Sequence, residues 1–221
     1  MTHSAQSNPK SPSAPASKNK PEKAAAILAG ALEVFSEHGY AAASMERIAK
    51  AAKVSKPTLY KYFQDKEGLF LALIQQLTKH NRQKLPQMLA ESAANMPPQT
   101  VLKQIATMAI EDFPRDAAVL RLMRLIIGES ERFPHLAQTF VREIEKPMIE
   151  QFEAYFAKQT QLQLSDPMVT ARVFIGSVVH YLIIQKVLHG SEILPLERDR
   201  MVDGLIALIT ARDQTRSNSL K

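Results

Sequence analysis

Apolar residues recur along this chain at three- and four-residue intervals, and nowhere do they alternate as a half-buried strand requires. From Glu22, Ile27, Ala31 and Phe35 fall at i, i+4 and i+8 with Leu28 and Leu32 beside them, and Gly39 supplies a left-handed stop. Ser44 is placed to cap a short second helix whose Met45, Ile48, Ala49 and Ala52 make one stripe. Ser55 caps a third, with Pro57 in its first turn, where a missing N–H costs nothing, and with Val54, Leu59 and Phe63 inward. Asp65 caps a fourth, running to about Met88 before the Met96-Pro97-Pro98 break. Five more amphipathic segments follow, at about 99–112, 116–130, 135–158, 166–189 and 195–211, punctuated by Pro114, Pro134, Pro167 and Pro195. The pattern predicts an all-α protein: a small N-terminal helix-turn-helix domain joined to a larger helical domain.

Charge separates the two parts. The chain of 221 residues carries 28 Lys and Arg against 22 Asp and Glu, a formal net charge of +6. Residues 1–80 hold 11 of the basic and 6 of the acidic side chains, a net of +5, which leaves 17 against 16 for the remainder. Residues 1–20, with five Ser, three Pro, Lys10, Lys18 and Lys20 but no Leu, Ile, Val or Phe, read as a disordered basic arm. The polar N-terminus lacks the apolar stretch of a secretory signal, and no window approaches 18 consecutive apolar residues. A cytoplasmic protein without membrane contact is therefore expected. With no cysteine there is no thiolate site, and the six histidines show no metal-ligand spacing, so neither a metal nor another cofactor is expected.

Two short helices across a tight turn, the second opening on Ser-Lys-Pro-Thr, fit a helix-turn-helix whose second helix enters a DNA major groove. The residues assigned to DNA are Ser44, Ser55, Lys56, Pro57, Thr58, Tyr60, Lys61, Tyr62 and Lys66. Thr58 is short enough to meet a base edge or a thymine methyl. Lys56 and Lys61 reach a guanine or a phosphate, while Ser44 and Lys66 open flanking helices whose positive ends favour phosphate. For Tyr60 and Tyr62 the alternative is packing between helices.

The stretch GALEVFSEHGYAAASMERIAKAAKVSKPTLYKYFQDKEGLFLALIQQL resembles the DNA-binding domain of the TetR family of bacterial transcriptional regulators. The resemblance covers residues 21–81, with the helix-turn-helix from Ser44 to Phe63. Pro57 and Thr58 stand where many members have glycine and a small residue, so base preference does not carry over. The resemblance implies that residues 82–221 form a domain that dimerises through its last two long helices and encloses a small-molecule effector. RLMRLIIGESERFPHLAQTFVREIEKPMIE, residues 121–150, is similar to the AefR-like subgroup.

Within the 166–189 segment, Val173, Ser177, His180, Ile184 and Val187 form one stripe, and Phe174, Val178, Tyr181, Gln185 and Leu188 the next. One stripe serves a monomer core; a second calls for another partner, with Leu205, Ile206, Leu208 and Ile209 of the last helix completing a two-fold interface. Arg124 lies in an otherwise apolar segment, where it snorkels to the surface, pairs with Glu129 or Glu131, or faces an anionic ligand. The candidate effector pocket comprises Met108, Phe113, Met123, Arg124, Phe133, Phe174, His180 and Tyr181, with plain core packing as the alternative for the Met and Phe side chains.

No phosphate loop, nucleophile elbow or zinc-protease motif is present, so an enzyme is not expected. The expectation is a homodimeric, ligand-responsive repressor on a pseudo-palindromic operator in double-stranded DNA. An activator of the same fold, or an adaptor docking its basic domain on an acidic protein, are the alternatives.

Overall fold

The computed structural model describes residues 19–93, 96–112 and 117–211, and among these it is helical with no strand, as the periodicity predicts. Ten α-helices follow in order: α1 Asn19–Ala42, α2 Met45–Ala51, α3 Lys56–Tyr62, α4 Lys66–Ala93, α5 Pro98–Asp112, α6 Ala117–Glu129, α7 Pro134–Phe140, α8 Lys146–Lys158, α9 Pro167–Leu182 and α10 Arg198–Thr210. Helix α1 begins at Asn19 rather than Glu22, which places Lys20 on the helix; the rest of the expected arm, with Lys10 and Lys18, lies outside the described residues. Phe113 also lies outside them.

The caps are local. Ser44 accepts a hydrogen bond from the Arg47 N–H, Ser55 from the Thr58 N–H, Asp65 from the Gly68 N–H and Asp166 from the Val169 N–H, so each helix start has an orphan donor satisfied by the residue the sequence supplies. Proline opens α7 and α9. Gly39 corrects its expected role: at φ 72° and ψ 166° it is extended with positive φ, a sharp kink rather than a left-handed cap.

Two departures from α geometry escape a strict helical period. Val141–Glu145 is a π turn joining α7 to α8, ahead of Pro147, whose ring crowds the carbonyl four residues before it in a regular helix. A second π turn, Ile183–Val187, extends α9. Its wider turn adds a residue and rotates everything beyond it, so Val187 is buried and Leu188 is 63% exposed, the reverse of the stripes extrapolated from residues 173–181.

Packing organises the helices around two cores. The first contains Ile27, Phe35, Ile48, Leu59, Phe70 and Ile74 and extends to Leu122, Leu125, Ile126 and Leu136, so α6 and α7 share a core with the first four helices. The second joins Leu89 of α4 to α5, α8, α9 and α10. Helix α4 therefore runs through both, despite Pro86 in its interior.

The 21 residues Pro167–Val187 are long and apolar enough to cross a membrane by composition alone. Packing gives that composition a different use. Ala171, Phe174, Ile175, Val178, Tyr181 and Leu182 are buried in the second core, while Val169, Val173, Gly176 and His180 line the opposite, exposed face.

Inside the second core, the Tyr155 hydroxyl and Gln151 Oε1 are buried without a hydrogen-bond partner, one helical turn apart on α8. Burial pushes the Tyr155 phenol up to about 12. Because a buried, unpaired polar atom costs about 1–3 kcal/mol, Tyr155→Phe should hold or raise the melting temperature, by roughly 2–4 °C for each kcal/mol recovered. A fall of several degrees in a thermal melt would show that the hydroxyl is paired.

Candidate nucleic-acid interface

The frame of α3 is built from backbone contacts that leave its outer face free. Between α2 and α3 the chain reverses through Lys53, a non-glycine residue at φ 54°. The Val54 N–H reaches the Ala49 carbonyl and the Lys53 N–H the Lys50 carbonyl, a Schellman closure that satisfies the last carbonyls of α2. Gly30 of α1 lies against this turn; a Cβ there would come within 2.8 Å of the Ala52 nitrogen, so only glycine permits the approach. Leu59 is fully buried and plugs α3 into the first core.

With Leu59 inward, Ser55, Lys56, Pro57, Tyr60 and Lys61 are exposed, and these five of the predicted residues form one continuous face. Tyr60 is 45% exposed, which sets aside packing between helices as its whole role. Thr58 is half-buried, its hydroxyl 2.7 Å from that of Ser55. Tyr62 is half-buried as well, packing against the first core with its ring 6.5 Å from that of Phe63. Ser44 stays exposed at the start of α2, where Arg47 also donates to the Ala42 carbonyl. Arg47 and Lys53, both exposed, flank this face and were missed as site residues: nothing in a basic run tells which members the turn turns outward.

Lys66 has a different place from the one its position implies. Its ammonium donates to the carbonyls of Tyr40 at 2.6 Å, Ala43 at 3.0 Å and Ala41 at 3.4 Å, and sits 4.3 Å above the Tyr40 ring. Burial lowers its pKa, and Glu129 opposes that shift. The charge serves the end of α1 rather than a free phosphate-binding surface. Tyr40, pushed up to about 12 by burial and by the Glu67 and Asp65 carboxylates, packs its ring against Phe35, Phe70 and Phe133 at 5.1–5.7 Å. Its N–H donates to Glu129 Oε1 at 2.8 Å.

The predicted pocket residues are not brought together. Met108 borders an open groove of about 860 Å³ between α5 and α10, bridged by Lys103 and Asp203 at 2.5 Å. Phe133 belongs to the first core, beside Tyr40. Phe174 is buried among Phe152 and Phe156, and the Tyr181 hydroxyl donates to the Leu196 carbonyl at 3.2 Å. Met123 is half-buried and His180 exposed. Arg124 is exposed, and its guanidinium reaches the carbonyls of Val187 at 3.3 Å and Lys186 at 3.5 Å, with His189 Nε2 also at 3.5 Å.

Residues 27–73 match the family model for bacterial regulatory proteins of the TetR family, and residues 100–213 match the AefR-like transcriptional repressor C-terminal domain. The chain belongs to the TetR family. Among curated relatives of this TetR-family chain, the regulator YerO of Bacillus subtilis is 25% identical over 73% of the chain and 56% of its own length. RutR of Escherichia coli K12 is 32% identical over 55% and 48%. The chain thus spans about half the length of the curated relatives it matches. A TetR-family regulator from Mesorhizobium loti superposes with a TM-score of 0.68 at 25% identity, covering 88% of this chain and 96% of that one. FadR of Bacillus subtilis, solved with stearoyl-CoA, superposes at 0.62 with 18% identity, covering 85% and 97%, which shows the shared fold.

The geometry separates two lysines that charge alone equates. Lys61→Ala should leave urea unfolding unchanged and lower the salt slope of DNA binding by about 1. Lys66→Met should destabilise by about 1–3 kcal/mol, because the α1 carbonyls lose their donor, and should leave the salt slope intact. Urea melts paired with DNA titrations across salt concentrations decide it; a reversed assignment would return Lys66 to the phosphate contacts.

Proposed function

We propose that this protein is a one-component transcription regulator of the bacterial cytoplasm, a repressor that binds a pseudo-palindromic operator as a homodimer and leaves it on binding a small molecule. The carrying observation is the exposed face of α3: Ser55, Lys56, Pro57, Tyr60 and Lys61 stand outward from a helix locked to its core by Leu59. Ser55, Lys56 and Pro57 occupy the N-terminal turn, the part of a recognition helix that meets base edges. Lys61 and the exposed Arg47 and Lys53 serve the phosphates. Ser44 joins them from the start of α2, while Thr58, Tyr62 and Lys66 contribute by holding α3 in position.

Dimerisation follows from the faces that the second core leaves uncovered. Val169, Val173, Gly176 and His180 repeat at four, three and four residues along α9, and Leu208 of α10 is 79% exposed. Apart from its chain neighbours and the backbone of its own helix, no described atom lies within 4 Å of a Cβ built at Gly176, so that face is open to a close helix-helix approach. A second copy supplies the matching apolar surface by two-fold symmetry. Repression, rather than activation, is favoured by the match of residues 100–213 to a repressor C-terminal domain.

For the effector, the unpaired Gln151 Oε1 and Tyr155 hydroxyl support a site on the inner face of α8, taking a mainly apolar molecule that carries a donor and an acceptor. FadR of Bacillus subtilis, solved with stearoyl-CoA, provides an example on this fold of a ligand that carries a long apolar acyl chain on a charged head group. Ligand binding reduces operator occupancy only through higher affinity for the dimer conformation that fits DNA poorly.

Leu208→Glu tests the dimer. The variant should sediment as a monomer at micromolar concentration, melt within a few degrees of the parent, and lose at least about tenfold in affinity for paired half-sites while keeping that for one half-site. A variant that remains dimeric places the interface elsewhere; binding that is flat with salt and indifferent to duplex sequence removes the DNA reading itself and favours the adaptor.

A further inference from the structure

We infer that Glu129 determines which spacing between operator half-sites the protein accepts, by fixing the angle between the DNA-binding helices and the helix that forms the dimer. The inference rests on the dimeric reading above and adds to it the residue that sets the distance between the two recognition helices.

Helix α6 carries two side chains that terminate other helices. Near its middle, Arg124 donates to the carbonyls of Lys186 and Val187, where the π turn ends α9. At its last residue, Glu129 accepts the Tyr40 N–H at 2.8 Å, just past the Gly39 kink that ends the regular part of α1. One rigid helix thus joins the element that bears the open Val169–Val173–Gly176 face to the element that carries α2 and α3.

The Glu129 contact is built into the backbone on both sides. Gly39 has φ 72°, and a Cβ there would fall 2.6 Å from Glu129 Oε1, so the chain gives up a side chain at that point to admit the carboxylate. Lys66 holds the carbonyls of Tyr40 and Ala43 from the other face, and the Tyr40 ring packs against Phe133 in the loop that follows α6. The Tyr40 N–H therefore has an ionised acceptor and a constrained direction, a combination that fixes orientation as well as distance.

Orientation matters because a duplex is periodic. Each base pair inserted between half-sites moves one of them by about 3.4 Å and turns it by about 35°. A dimer with rigid junctions accepts one spacing. Loosened junctions let each DNA-binding domain follow its half-site, which broadens the accepted spacings without touching the contacts to bases.

The experiment uses the full chain. A half-site is selected from a randomised duplex library, and inverted pairs of it are then separated by spacers that grow one base pair at a time. The parent should bind one spacing at least about tenfold more tightly than its neighbours, and Glu129→Ala should compress that ratio to about threefold or less while its affinity for a single half-site stays within about twofold. Glu129→Gln, whose amide oxygen still accepts from Tyr40, should restore the preference. Arg124→Ala, at the other attachment of α6, should broaden the profile as Glu129→Ala does. A Glu129→Ala profile as sharp as the parent's overturns the inference, as does a single-half-site affinity that falls as far as the paired one, which would make Glu129 a folding residue only. If the parent itself shows no preferred spacing, the failure belongs to the dimeric reading beneath it.

Discussion

The peptide N–H of Tyr40 is satisfied by a carboxylate 89 positions further along the chain, and much of the architecture is arranged around that one bond. It requires a residue without a Cβ at position 39, a carboxylate at the last residue of α6 and an aromatic cluster to hold the ring of Tyr40 in place. Its two sides belong to parts of the chain that the charge distribution separates, the basic N-terminal third and the nearly neutral remainder. A hydrogen bond to a carboxylate is among the stronger ones available, and here it lies beside a lysine that donates to the carbonyls of the same backbone segment. At this junction the end of α6 is tied to the backbone that leads from α1 into α2 and α3.

The same logic explains why the cores do not coincide with functional divisions. A boundary near residue 81 separates charge, but Leu122, Leu125, Ile126 and Leu136 close the core over α1 and α4. Helix α3, through Leu59, thereby shares its core with side chains of α6 and α7. Helix α4 adds a second brace by running through both cores.

What was legible in the sequence was what is local. Ser44, Ser55 and Asp65 are capping residues because their short side chains reach a backbone N–H three residues ahead, and that geometry needs no tertiary context. The buried and exposed faces of α9 follow equally from spacing up to Leu182, and the outward face of α3 from the apolar Leu59. Less legible are the contacts in which long side chains serve distant backbone. Arg124 and Lys66 are both cations in suggestive positions, and both donate to carbonyls of other helices, contacts that no spacing encodes. The π turn at Ile183–Val187 leaves no mark in a three-and-four pattern, so Val187 and Leu188 were assigned to opposite faces from those they occupy. The unpaired polar atoms of Gln151 and Tyr155 were invisible for a related reason: a tyrosine at a helical interval looks like core until its hydroxyl has been followed to its end.

The most direct measurement is amide hydrogen exchange at Tyr40. Its N–H lies past a kink where α1 has lost regular hydrogen bonding, so its protection depends on Glu129. The account predicts that Tyr40 exchanges as slowly as amides in the middle of α4, and that Glu129→Ala speeds Tyr40 selectively while the amides of α2 and α3 keep their protection. Equal protection at Tyr40 in both proteins would contradict it, because the bond that joins the two halves of the molecule would then carry no weight.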